Sequence, residues 1–266
     1  MHFLLENQRK VYHGNGMIYT RRSLYFFSLL CGIFVLTFQT AWAGDFVQFH
    51  TTNIQALRGN HYELGPKKRT IITLEHASGW SFGDLYTFCD LSLKEGDSND
   101  DLYCEFTPRL SWNKITGRDI SYGILKDILL AAQTEQGEDG LARYSYGLGI
   151  DLNLPYFKFF KVNNFIRNNP DREDKTFQIY TAWNLPFEAV GAKFVFEGFA
   201  DVFGEEGGTT VPSQLTQPRL LLDIGDLLWN KQGQFFTGVE YQYWHNKFGV
   251  DGVTESTLQA QIKWVF

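Results

Sequence analysis

The C-terminus carries the feature that most restricts the fold. Leu258, Ala260, Ile262, Trp264 and Phe266 alternate with Gln259, Gln261 and Lys263. Only an extended strand turns a period of two into one apolar and one polar face. The same period returns upstream. Leu102, Cys104, Phe106, Pro108 and Leu110 alternate with Tyr103, Glu105, Thr107, Arg109 and Ser111, and Tyr144, Tyr146, Leu148 and Ile150 alternate with Arg143, Ser145, Gly147, Gly149 and Asp151. Further runs start at Thr176, Arg219 and Gly238. Beyond residue 43 no stretch approaches the roughly 18 consecutive apolar residues of a membrane helix. A single alternating strand suits a soluble sandwich as well as a membrane barrel. The polar faces favour the barrel: they mix charges, amides, aromatics and glycine, which suits a narrow lined lumen better than bulk water.

The alternation divides into about twelve segments of roughly 9–11 residues, the length a tilted membrane strand needs. They lie near 47–57, 69–77, 82–93, 101–112, 119–127, 141–153, 156–166, 174–185, 192–202, 216–224, 234–246 and 256–266. The expected fold is all-β, a transmembrane antiparallel β-barrel of about 12 strands. Longer connections fall at 58–68, 94–100, 128–140, 167–173, 203–215 and 247–255, and shorter ones at 78–81, 113–118, 154–155 and 186–191. Long external loops and short periplasmic turns give such a pattern, with 225–233 as an exception. Composition agrees. Aromatics at 17% argue against disorder. Three cysteines argue against a disulfide-stapled miniprotein, and a net charge of -6 against a general nucleic-acid binder.

The first 43 residues read as a separate object. Arg21 and Arg22 precede an apolar run from Leu24 to Phe38, followed by Ala41-Trp42-Ala43. A basic start, a short apolar run and an A-x-A site make a secretory signal peptide. Residues 1–43 are thus expected to be removed, leaving 44–266 as the barrel. Translation from Met17 would make 1–16 a misassigned extension. Localisation in the outer membrane of a Gram-negative bacterium follows.

The sequence holds no H-E-x-x-H pair and no phosphate-binding G-x-x-x-x-G-K loop. After the signal, His50, His61, His76 and His245 remain, without zinc-ligand spacing. Passage or binding is expected rather than catalysis, with no cofactor and no metal. Cys89 and Cys104 flank the 94–100 loop on the apolar face. Two separate small lipid-facing residues are favoured over a disulfide, because direct opposition needs a turn centred on Gly96-Asp97, earlier than the acidic cluster suggests.

Thr73-Leu74-Glu75-His76, Asp84, Asp90 and the stretch from Glu105 to Lys126 resemble the nucleoside-specific outer-membrane channels, the Tsx-like and OmpK-type proteins. Tyr146-Gly147-Leu148-Gly149-Ile150-Asp151, Tyr243-Trp244-His245 and terminal Phe266 are similar too. The resemblance spans most of 51–266, with Leu57-Arg58-Gly59-Asn60 closer to the OmpK branch. It implies a monomeric barrel that passes nucleosides by diffusion. Aromatics would sandwich the base and ionisable groups would bond the sugar. Just before Gly65-Pro66, where the family would carry an aromatic, this chain has Leu64.

Strand parity assigns Glu75, Asp84, Tyr86, Phe88, Asp90, Glu105, Arg109, Asp151, Tyr180 and Glu240 to the lumen. Arg109 and Arg219 are expected inside because an arginine facing lipid at midplane costs about 2–4 kcal/mol. Glu105 and Arg109 share one strand face, where a salt bridge bracing the barrel stands beside a role toward solute. Other readings are a phage- or host-binding surface at the external loops, an outer-membrane enzyme, and a soluble lipocalin-like barrel.

Overall fold

The computed structural model describes residues 46–96, 100–172 and 174–266; the expected signal peptide lies outside them. Twelve antiparallel strands are described: β1 (Val47–Gly59), β2 (Arg69–Trp80), β3 (Gly83–Lys94), β4 (Asp101–Ser111), β5 (Leu125–Gly137), β6 (Ala142–Leu152), β7 (Phe159–Asn168), β8 (Thr176–Ala189), β9 (Ala192–Phe203), β10 (Ser213–Asp223), β11 (Phe235–His245) and β12 (Glu255–Val265). Each pairs with its neighbours in sequence, and β1 pairs with β12 to close the barrel. Closure leaves no free edge for another chain to pair with.

Burial is inverted relative to a soluble protein. On β12, Thr257, Gln259 and Gln261 are buried, whereas Leu258 is 59% exposed and Ile262 50%. Leu130, Leu148 and Phe177 likewise point outward and are more than half exposed. An apolar belt of this extent on a soluble monomer would be an aggregation surface; around a closed barrel it is the lipid face. Trp112, Trp229 and Trp264 ring one end, and Tyr144, Tyr146 and Tyr241 face outward toward the other. Amphipathic rings belong at those two interfaces.

β5 corrects the expected layout. The sequence pattern placed a strand at 119–127 and a long loop at 128–140, but β5 runs from Leu125 to Gly137 and its hairpin is tight. Leu129 and Ala131 turn inward and are buried, so the run from Ile128 to Ala132 is apolar on both faces and does not alternate. The space before β5 is filled by helix α1 (Trp112–Thr116), capped by Ser111, whose hydroxyl accepts from the Lys114 N–H. A second short helix, α2 (Ile224–Trp229), is capped by Asp223 in the same way and occupies the expected exception at 225–233. Long and short connections therefore do not alternate strictly.

Cys89 and Cys104 form a disulfide, against the sequence reading. They are direct cross-strand partners 4.1 Å apart at Cα, and the turn does centre on Gly96, whose φ of 82° suits glycine. The bridge closes a separation of 15 residues, which corresponds to about 3 kcal/mol of unfolded-state restriction. The double variant C89A/C104A is expected to lose about that much stability in urea titration of the vesicle-embedded barrel. An unshifted midpoint would contradict this.

The seam between first and last strands is short. The β1–β12 ladder runs from Asn53↔Val265 to Arg58↔Ala260, while β12 continues to Glu255. Beyond Gly59 the chain turns into the barrel. A side chain at Gly59 would meet the Thr257 methyl at 2.7 Å, so a larger residue at this crossing would have to displace it. The 60–68 segment then lies over the inner face of β12. Tyr62 donates its hydroxyl to Gln259, and the Glu63 N–H donates to Glu255 Oε2 at 2.5 Å.

Candidate functional site: the barrel lumen

All ten residues assigned by parity face the interior, where they fall into separate groups. The first surrounds Arg109. Its guanidinium donates Nε to Asp84 Oδ1 at 2.8 Å and Nη1 to Asp151 Oδ1 at 2.8 Å, and Lys161 reaches Asp84 at 3.0 Å. One arginine thus ties β3, β4 and β6, and Lys161 adds β7. Gly149 leaves the room: a side chain there would sit 3.3 Å from Arg109 Nη1 and 2.8 Å from Asn163 Oδ1. Glu105 is not part of this group. Residues four apart on a strand are about 13 Å apart, so the shared face does not bring Glu105 and Arg109 together. Glu105 accepts from the Tyr103 hydroxyl at 2.6 Å and from Gln133 at 2.7 Å.

A second group crosses the barrel. Glu75 on β2 accepts from Asn53 at 2.9 Å and from the Tyr86 hydroxyl at 2.9 Å. Arg219 on β10 lies 3.6 Å from Glu75 and donates to Glu240 at 2.5 Å. Gln259 also donates to Glu240, at 2.7 Å, and Lys263 pairs with Glu197 at 2.7 Å. Asp90 accepts from the Thr73 hydroxyl at 2.5 Å.

Inward aromatics stand on two walls. Tyr86, Phe88 and Tyr103 follow one another at centroid separations of 6.0 Å on β3 and β4. Tyr180 and Phe199 stack at 5.9 Å on β8 and β9. In the twelve-strand ring β3 and β9 are opposite each other. Leu64 is exposed, and the inward aromatic of its loop is Tyr62, beneath the Arg69 guanidinium at 4.8 Å.

A third group was not expected from the sequence. Arg167 donates Nη2 to Glu135 at 2.9 Å and Nε to Glu206 at 2.9 Å, and Gln178 donates to Asp201 at 2.9 Å. Glu135 lay in the misplaced loop, and Arg167 lay at a predicted boundary. Parity from Ala131 through Gln133 would have shown Glu135 facing inward. Asp201 had no such cue, because Phe199 and Phe203 share its inward face. Glu206 belongs to the 204–212 loop. Burial pushes its carboxyl up, but the charge of Arg143, the amide of Asn169 and Arg167 outweigh that and hold it below the usual glutamate range. A depressed pKa adds stability above the unfolded value, lost as pH falls through the folded one. The protection factor of amides in 204–212, with the intrinsic pH dependence of exchange divided out, is therefore expected to stay constant from about pH 5 to 8 and to fall below about pH 4. E206Q should flatten that dependence; a protection factor that falls equally in E206Q would contradict the assignment.

Comparison with known proteins agrees with this architecture. The family model described as "Nucleoside-specific channel-forming protein, Tsx" matches residues 46–264. Two curated relatives, both outer membrane protein OmpK of Vibrio parahaemolyticus, are each 26% identical, over 54% and 44% of this chain. The matches cover 61% and 49% of those relatives' own lengths. Among solved structures, the NanC porin superposes with a TM-score of 0.51 at 9% identity, covering 80% of this chain and 98% of that one, a likeness of fold alone. The chain belongs to the Tsx family of channel-forming proteins and is an outer-membrane β-barrel of a Gram-negative bacterium.

Proposed function

We propose that the lumen passes nucleosides by weak, multi-site exchange, and that the ten inward residues named above form the path. The observation that carries this reading is the pair of opposed aromatic walls, Tyr86–Phe88–Tyr103 and Tyr180–Phe199. A base slots against such rings whatever its identity, since every base has a π-face. The groups beside the rings suit a sugar. Asp90, Glu105 and Asp201 are held by the neutral donors Thr73, Tyr103, Gln133 and Gln178. Their remaining lone pairs accept from ribose hydroxyls.

Inward side chains occupy much of the lumen, and Glu255, Thr257 and Gln259 are fully buried. A solute advances by replacing side-chain hydrogen bonds with its own, one step at a time. That exchange keeps binding shallow, which conduction requires. The Arg109 group lines that path as its brace and forms no bonds to solute, because its charges are already mutually satisfied. No reacting group or activated nucleophile is needed, and the channel acts without catalysis.

Liposome swelling tests the reading. Vesicles carrying the protein are expected to swell faster in adenosine or thymidine than in a disaccharide of similar size. Equal rates would leave a general small-solute pore.

A further inference from the structure

The seam leaves a notch on the outside of the barrel. Where β1 turns inward at Gly59, β12 runs on without it, and a cavity of about 400 Å³ opens beside the wall. Its floor is Val239, Leu258 and Ala260, all facing outward. Ala260 is the cause of the depression. It lies in register between Val239 and Arg58, and its single methyl group leaves a gap in that row. The rim is polar and cationic, formed by Arg58, Asn60 and Lys68. Arg58 is held in place: Nη1 donates to Thr70 at 2.8 Å and Nη2 to Glu95 at 2.5 Å. Lys68 has no side-chain partner among the described residues, and its carbonyl accepts from the Glu95 N–H at 3.1 Å.

We propose that this notch binds one membrane lipid with a phosphate headgroup. An acyl chain lies on Val239, Leu258 and Ala260, and the phosphate meets Lys68, Arg58 and the Asn60 amide. Three features select this occupant. The floor continues the lipid-facing apolar surface, so its natural contents are hydrocarbon. The rim places two cations at the edge of that surface, where anionic headgroups lie. The exposed guanidinium offers phosphate a planar donor edge, with one carboxylate to compete against. A soluble partner or second copy would have to displace lipid from the apolar floor. The lipid does a structural job: it fills a stretch of wall where β12 runs on without β1 beside it.

Native mass spectrometry of the full chain in detergent tests this. The probes are phosphatidylglycerol, inorganic phosphate, and a neutral diacylglycerol of the same chain length. Wild type is expected to retain one phosphatidylglycerol. R58A/K68A should weaken that retention by about 30-fold, the loss of two juxtamembrane cations. A260W, which fills the floor and leaves the cations, should weaken it comparably. Diacylglycerol should not be retained, and millimolar phosphate should not displace the lipid. Folding is read from heat-modifiable gel mobility; if R58A/K68A does not fold, A260W decides. Wild-type retention in A260W overturns the proposal. Displacement by phosphate alone identifies an ion site and overturns it too, and diacylglycerol retained as well as phosphatidylglycerol removes the headgroup from it.

Discussion

R109A is expected to destabilise the barrel by about 3–5 kcal/mol, the range for removing one partner of a buried ion pair. The size follows from what stays behind. Arg109 is 2% exposed and its two carboxylate partners are 15% and 17% exposed. Without the guanidinium, Asp84 and Asp151 face each other with only Lys161 to offset them. Two charges in a poorly solvated space then repel, and each has lost charge-assisted hydrogen bonds. The group also joins strands from β3 to β7, so its loss loosens a third of the circumference. Urea unfolding in vesicles measures this. The triple variant R109M/D84N/D151N is expected to recover part of the loss, because it removes the charges rather than stranding them. For contrast, the surface pair Arg58–Glu95 is about half exposed on both sides. There R58A should cost less than about 1 kcal/mol.

The second large effect is on solute. Stacking on an aromatic side chain contributes about 1–3 kcal/mol per base. Removing one wall by Y86A, or the other by Y180A, should weaken nucleoside affinity by about 5- to 150-fold, and the double variant should lose more. Y86L is the informative control: it keeps bulk and loses the π-face, so filling of the lumen and stacking on a base are separated. The Tyr86 hydroxyl also donates to Glu75. Y86F keeps the ring and drops that bond, and should lie close to wild type if stacking dominates.

Much of the barrel was legible because a membrane imposes opposite solvents on the two faces of every strand. Lipid demands apolar residues on one parity and leaves the other free, so Arg109, Glu75 and Glu240 could be placed inward from their neighbours alone. Legibility failed where the interior is apolar. Leu129 and Ala131 point inward yet look like lipid-facing residues, so β5 was displaced and Glu135 was lost with it. It failed again where distant segments meet. Arg167 finds Glu206 across 39 positions, and Tyr62 finds Gln259 across 197; no local pattern encodes such pairings. The disulfide was a near miss of another sort. Parity put Cys89 and Cys104 on one face, and only the register, fixed by the turn at Gly96, brought them into opposition. Glu105 and Arg109 show that a shared face does not mean a contact, because strands separate residues faster than helices do.

The central claim is that this polar interior, walled by opposed aromatics, engages nucleosides as they cross. Two stacking walls at about 1–3 kcal/mol each place binding near about 1 mM. Current through single channels in a planar bilayer reads that directly. Adenosine at about 1 mM should interrupt the current in wild type, and the same concentration should leave Y86A/Y180A conducting without interruption. A wild-type current that adenosine and thymidine both leave unchanged at that concentration would contradict the account.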